Sequence, residues 1–171
     1  MFNVLIVEDD QKLNQLIKTT LIKNGYNAYT AKDGDEGIDV FDNNYIDLIV
    51  SDIMMPNADG YELADAVRKR NANIPILFVS AKDKYEDKQK GFQIGIDDYM
   101  VKPIDLNELL LRISALLRRA QIANERKLTV GSTVLDYDTM TVIRDGSEII
   151  LPQKEFKLLF KLLSFPNKIF T

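Results

Sequence analysis

The chain has 171 residues, 46% of them hydrophobic and 28% charged, with a formal charge of -4; this is globular composition, and no apolar run nears the roughly 20 residues that span a bilayer. It contains neither cysteine nor histidine, which excludes disulfides, thiolate and imidazole metal sites, cysteine nucleophiles and Ser-His-Asp triads. Residues 125–171 carry 7 Lys+Arg and 6 Asp+Glu, leaving 15 and 20 for residues 1–124, so a net of -5 gives way to +1 and two units are predicted.

The N-terminus, MFNVLIVEDD, has no basic n-region and an apolar run of only four residues, so no signal peptide is expected and the compartment is the cytoplasm. Val4–Val7 is the first run of strand length; Leu13, Leu16, Ile17 and Leu21 follow at helical spacing, and Asn24-Gly25 ends that helix. Asn27–Thr30 is a weaker second strand, and Gly34 opens the second helix. Leu48–Val50 is the third strand, Pro56 to Gly60 a turn, and Leu63, Ala64 and Val67 mark the third helix. Asn73 to Pro75 separates it from the fourth strand, Ile76–Val79. Tyr99–Val101 is the fifth strand. Asp105 and Glu108 form a capping box for the longest helix, with Leu106, Leu109, Leu110, Ile113, Leu116 and Leu117 on its apolar stripe. Five strand-helix repeats with continuously apolar strands predict a parallel sheet covered on both faces.

Near residues 118–127 (RRAQIANERK) the apolar period is lost, and residues 121–127 are expected to be a linker between a domain over 1–120 and a second over 128–171. Beyond it, Leu128–Val130, Thr133–Asp136, Met140–Arg144 and Ile149–Leu151 are β-prone runs split by short turns, an antiparallel meander. One helix is predicted from about Gln153 to Phe165, with Phe156, Leu159, Phe160 and Leu163 on one face.

Polar residues follow four of the apolar strands directly: Glu8-Asp9, Ser51-Asp52, Ser80 and Lys102. Ligands of open α/β sheets bind outside the carboxyl ends of the strands, where the strand order reverses. Taken singly, each residue reads as a cap, a turn former or a solvated side chain. Jointly, Glu8, Asp9 and Asp52 crowd negative charge in a way that suits a hard cation with oxygen ligands, Mg²⁺. Lys102 and the Ser80 hydroxyl would meet an anion. Metal, ammonium, hydroxyl and carboxylate nucleophile make a minimal kit for phosphoryl transfer to aspartate.

These residues also carry a resemblance. VEDD at 7–10, DIMMP at 52–56, SAK at 80–82 and DDYMVKP at 97–103 resemble the motifs of two-component response-regulator receiver domains, in order and spacing, over residues 2–120. The resemblance implies an α/β, flavodoxin-like (βα)₅ receiver with strand order 2-1-3-4-5. By position it implies Asp52 as phosphoacceptor and Glu8 and Asp9 as the acidic pair. Mg²⁺ would lie on Asp9, Asp52 and the Met54 backbone carbonyl, with Glu8 acting through water or as part of the acidic pair. Lys102 would contact the phosphoryl group through a cis bond to Pro103, Ser80 would be the switch hydroxyl, and Tyr99 the aromatic that turns inward on activation. Met54 and Lys82 would tune the lifetime of the aspartyl phosphate. The phosphodonor would be a sensor histidine kinase or a small phosphodonor. The chain would be a switch with self-directed chemistry, not a turnover enzyme.

Lys88 and the segment 95–119 resemble the OmpR/PhoB subfamily, in which the fourth helix, fifth strand and fifth helix form a two-fold dimer face on phosphorylation. That implies cross-subunit pairs of Lys88 with Glu108 and Asp98 with Arg112, and of Asp97 with Arg118 or Arg119. LPQKEFKLLFKLL at 151–163 is similar to the first effector helix of the subfamily's winged-helix DNA-binding domain. The recognition helix and wing are not in residues 128–171, so promoter DNA is expected to be a partner of a longer form and not of this chain, and the apolar face of the last helix is expected to lack packing partners. Three rival readings are weighed: an aspartyl-phosphate phosphatase, which wants a nucleophile after the first strand; a flavin carrier, which wants a phosphate loop where two carboxylates stand; and a phosphorylation-independent regulator or interaction module.

Overall fold

The computed structural model describes residues 1–164, the side chains of 122–126 and 164 excepted. The elements are β1 (Asn3–Val7), α1 (Gln11–Lys23), β2 (Asn27–Ala31), α2 (Gly34–Asn43), β3 (Leu48–Ser51), α3 (Gly60–Arg70), β4 (Ile76–Ser80), α4 (Tyr85–Ile94), β5 (Asp98–Val101) and α5 (Leu106–Arg126), then β6 (Lys127–Val130), β7 (Thr133–Asp136), β8 (Thr141–Arg144), β9 (Ser147–Ile150) and α6 (Gln153–Ser164). They fall into two compact units, Met1–Arg118 and Arg119–Thr171.

In the first unit the sheet is parallel with order β2-β1-β3-β4-β5, the flavodoxin-like arrangement. The continuous apolar runs serve two cores. Leu5, Val7, Ile49, Ile76, Phe78 and Tyr99 face one way, onto Leu63, Ala64 and Val67 of α3. Val4, Ile6, Leu48, Val50, Leu77, Val79 and Met100 face the other, onto Ile17 and Leu21 of α1 and Leu109, Ile113, Leu116 and Leu117 of α5. Side chains alternate across a strand, so only a run apolar at every position can feed both faces.

β3 and β4 extend one residue beyond their apolar runs, because Ser51 and Ser80 still lie in the ladder, opposite Phe78 and Val101. Both are fully buried. α1 starts where Asp10 caps the amides of Lys12 and Leu13, and ends at Asn24 before Gly25, whose φ of +86° suits a residue without Cβ. The Asp105 carboxylate accepts from the amides of Asn107 and Glu108, so half of the expected capping box forms, while the Glu108 side chain goes to Arg112. α5 does not stop near residue 120: it runs to Arg126, through most of the stretch expected as a linker. Ala120, Gln121, Ala123, Glu125 and Arg126 are strong helix formers with no Gly or Pro among them, so loss of the apolar stripe does not end the helix.

The second unit is the meander β6-β7-β8-β9 with α6 after it. β8 starts at Thr141, because Met140 sits at φ +56° in the turn. β9 starts at Ser147, two residues earlier than its apolar run. Asp145 and Gly146 both have positive φ (51° and 77°), a two-residue turn that puts Ser147 straight opposite Arg144. Phe156 and Phe160, expected to lie bare, pack against the Tyr137 ring at 6.0 and 5.2 Å between centroids, and Phe156 is fully buried. Leu158 and Leu162 remain exposed. The expected end of this helix at Phe165 lies outside the described residues.

Phe78 is fully buried, with the rings of Tyr61 and Tyr99 edge-on at 5.7 and 6.3 Å. Phe78→Ala should destabilise the first unit by about 3–5 kcal/mol, read from the urea midpoint of its unfolding transition.

Candidate functional site

The reversal of strand order places the ends of β1 and β3 side by side, with β4 and β5 beyond. The Asp52 amide donates to Val7 O at 2.9 Å and the Glu8 amide to Ala31 O at 3.1 Å, so both carboxylates leave the sheet at one edge. Lys102 leaves the far end of β5, its amide donating to Ser80 O at 2.9 Å, and its bond to Pro103 is cis.

The ammonium then reaches back. Lys102 Nζ lies 2.8 Å from Glu8 Oε2 and 2.8 Å from Asp52 Oδ2. Glu8 is 4% exposed and Asp52 7%. Asp52 Oδ1 accepts from the amides of Ile53 at 2.6 Å and Met54 at 3.3 Å. Glu8 Oε1 accepts from the Asp10 amide at 3.1 Å. Burial pushes the Glu8 carboxyl above its ordinary value, against the Lys102 hydrogen bond that lowers it. Burial also opposes the Lys102 charge, but the hydrogen bonds to Asp52 and Glu8 outweigh it and raise its pKa. Asp9 is exposed beside them, and Glu8, Asp9 and Asp52 each offer an oxygen within 4.8 Å of the others. This cluster could hold a metal ion.

Ser80 is buried, with its Oγ accepting from the Lys82 amide at 3.3 Å. Tyr99 is only 8% exposed, and its hydroxyl donates to Lys82 O at 2.6 Å. The Tyr99 ring thus lies inward. Burial pushes the Tyr99 phenol up to about 12. Met54 is exposed, and the Lys82 ammonium lies 3.6 Å from Asp87. Glu8, Asp9, Asp52 and Lys102 are thus brought together, with Ser80, Tyr99 and Lys82 joined to one another beside them.

Of the expected cross-subunit pairs, Asp98 with Arg112 also forms within the single chain. Arg112 binds Asp98 at 2.8 Å and Glu108 at 2.8 Å. Asp97 pairs with Arg68 at 2.9 Å, not with Arg118 or Arg119, which are exposed. The Lys88 ammonium stands 5.8 Å over the Tyr99 ring, not at Glu108. Except for Glu108, four residues before Arg112 on α5, these partners lie on neighbouring elements, which sequence spacing alone does not reveal.

Two residues of the site's surroundings escape sequence reasoning. Asn14 is buried in the α1 stripe, and its Nδ2 donates to Glu8 O at 3.0 Å and Ala31 O at 3.1 Å, tying down the end of β1. A polar residue between Leu13 and Ile17 was the available signal. Tyr61 opens α3 and donates its hydroxyl to Asp87 O in α4 at 3.1 Å; nothing in the pattern marks it apart from a core aromatic.

A family model described as the response regulator receiver domain matches residues 4–114. The chain is 39% identical over 171 residues to the heme response regulator HssR of Staphylococcus epidermidis, covering all of this chain and 76% of that protein. It is 39% identical over 169 residues to the transcriptional regulatory protein PcoR of Escherichia coli, covering 99% of this chain and 75% of that one. Among solved structures, the receiver domain of the Francisella response regulator 1452 matches with a TM-score of 0.66 and 40% identity, over 70% of this chain and 98% of that domain. The non-phosphorylated HemR receiver domain of Leptospira biflexa matches with a TM-score of 0.65 and 30% identity, over 68% and 94%.

Since folding raises the Glu8 pKa, the folded state favours its protonated form. Stability from this group is fully present below the unfolded value and is lost as pH rises through the folded value. Glu8→Gln should therefore raise the melting temperature at pH 7. The gain should shrink towards zero near pH 4 in paired thermal melts.

Proposed function

The chain belongs to the response-regulator receiver family, and to its OmpR/PhoB type, and from that membership we propose that it is a switch driven by phosphorylation of Asp52. The observation that carries this reading is the Lys102 ammonium shared at 2.8 Å by Glu8 and Asp52 at three strand ends. Oδ1 of Asp52 is tethered by two backbone amides, which leaves Oδ2, the oxygen on Lys102, to take the phosphoryl group.

The donor set fits Mg²⁺, being hard oxygens only, with Asp9 open to solvent. Asp9, Asp52 and the Met54 carbonyl would hold the ion, Glu8 through water, and it would supply positive charge against the phosphoryl oxygens. The Asp52 carboxylate attacks phosphorus. An O–P bond forms as the donor's P–N bond, in a phosphohistidine, or P–O bond, in an acyl phosphate, breaks, and the donor leaves with the electron pair. Lys102 passes from Oδ2 to a phosphoryl oxygen and neutralises it. Water later hydrolyses the acyl phosphate and returns the free carboxylate, with Met54 and Lys82 at the rim setting how fast. Ser80 and Tyr99 report the change, since Lys82 is bonded to both. The partner upstream is a sensor histidine kinase and the compartment is the cytoplasm. Among the described residues no helix is long and apolar enough to cross a membrane.

Output runs through dimerisation on the face of α4, β5 and α5, which carries Lys88, Asp97, Asp98, Glu108, Arg112 and, further along α5, Arg119. Arg112 is already paired in the single chain, so a dimer exchanges ion pairs and gains register more than affinity. β6 to α6 are the part of the chain that resembles a winged-helix domain, and promoter DNA is the output partner, as befits a relative named a transcriptional regulator. A phosphorylation-independent regulator is the second reading.

Acetyl phosphate with Mg²⁺ should add one phosphoryl group to the intact mass, and Asp52→Ala should add none. A folded wild-type chain that takes up nothing from acetyl phosphate or from its kinase leaves the second reading standing. Phosphorylation should also shift the chain from monomer to dimer in size-exclusion chromatography, and Arg112→Ala should weaken that dimer by less than about tenfold.

A further inference from the structure

The loop from Ile53 to Asp59 aims Asp52, and one buried carboxylate outside the acidic pocket holds the far end of that loop. Asp33 precedes α2 and is 4% exposed. Its Oδ1 caps the helix, accepting from the Glu36 amide at 2.9 Å, and its Oδ2 accepts from Asn57 Nδ2 at 2.8 Å. The next residues are fastened as well. The Gly34 amide donates to Ala58 O at 3.0 Å, so tightly that a Cβ on Gly34 would lie 2.5 Å from that oxygen. Asn57 itself has a φ of +63°, a conformation that asparagine tolerates better than most residues.

A helix cap alone does not require aspartate at position 33; serine, threonine or asparagine serves equally. Two acceptor oxygens serve two donors at once, one in the helix and one in the loop. The other end of the loop meets the pocket, where the amides of Ile53 and Met54 hold Asp52 Oδ1. Gly60, where a Cβ would collide with the Asp52 carbonyl, closes the loop by donating to Ile53 O at 2.9 Å. A shift at Asn57 therefore has little slack in which to dissipate before it reaches Met54.

We propose that Asp33 and Asn57 are positioning residues: their hydrogen bond fixes the loop after β3 and so aims the Asp52 carboxylate at the incoming phosphoryl group. The inference rests on Asp52 as phosphoacceptor, and it adds two residues remote from the reacting atoms to the machinery of that site. Both burial and the donors bear on Asp33: the Glu36 amide first, then Asn57, hold its carboxyl below the usual range, so the clamp is ionised at neutral pH.

The test uses the full chain. Asn57→Gly permits the positive φ while removing the side-chain donor; Asn57→Asp sets two carboxylates against each other. Both should slow phosphorylation by acetyl phosphate at saturating Mg²⁺ on the order of tenfold, read as the rise of the phosphorylated mass with time. The exchanged pair, Asp33→Asn with Asn57→Asp, restores a donor facing an acceptor and should recover the rate to within about twofold. A merely structural role would lower the melting temperature without this pattern of loss and rescue. Wild-type rates in both single variants, or slow rates that the exchange does not recover, overturn the clamp. A second readout separates its failure from that of the acceptor reading. In ¹⁵N-labelled protein without donor, the Ile53 and Met54 amide resonances should move in Asn57→Gly and return in the exchanged pair. Unmoved amides overturn the clamp even if Asp52 is phosphorylated, and a wild-type chain that never takes phosphate on Asp52 overturns the acceptor reading whatever the amides do.

Discussion

One ammonium group sets the terms for the first unit. Lys102 stands between two carboxylates that are 4% and 7% exposed, at 2.8 Å from each. Buried like charges are tolerated only with a counter-charge and hydrogen bonds. Here one positive charge meets two negative ones, and Asp9 adds a third at the rim. The pocket is left with more negative than positive charge, and its one ammonium is more open to solvent than either buried carboxylate. Such a surplus of carboxylate oxygens suits a hard cation.

The sheet explains why the cation is a lysine and why its neighbour is a serine. β3 and β5 lie two strand spacings apart with β4 between them, about 9–10 Å. A group on β5 that touches Asp52 must cross the end of β4, which only a long side chain can do. The residue at the end of β4 must in turn be small, and Ser80, fully buried, is that residue. Asn14 and the amide of Asp10 restrain Glu8 on the opposite side. The carboxylates are placed by backbone at the strand ends and the ammonium by reach.

Much of this was legible in the sequence, and the reason is periodicity. Strands buried on both faces are apolar at every position, so Val4–Val7 or Ile76–Val79 reads as a core strand and the polar residue after it as a strand end. α4 was nearly illegible for the opposite reason: Gly91 is its one buried residue, so YEDKQKGFQI has no apolar stripe to find. The extent of α5 was misread because helix propensity outlasts amphipathicity. The ion pairs within the chain were not legible because Arg68 and Asp97, like Asp98 and Arg112, meet across elements, and charge alone does not choose between a partner in the same chain and one in a second copy. Asp33 and Asn57 lie 24 positions apart and look like ordinary turn residues, since nothing local marks a long-range hydrogen bond.

The thin burial of α4 bears on where a signal can travel. Its N-cap, Lys84, makes no side-chain cap bond, so its first turn depends on neighbours. Two tyrosine hydroxyls supply them: Tyr61 bonds the Asp87 carbonyl and Tyr99 the Lys82 carbonyl just ahead of the helix. The two rings are linked through Phe78, edge to face on both sides. Lys90 and Lys82 lie 4.1 and 5.9 Å over the Tyr61 ring. A helix held by hydroxyls and cation–π contacts instead of an apolar stripe can shift at small cost. The nearest link from that helix to the site is the segment from Ser80 to Lys82, where the serine hydroxyl accepts from the Lys82 amide and Tyr99 holds the Lys82 carbonyl.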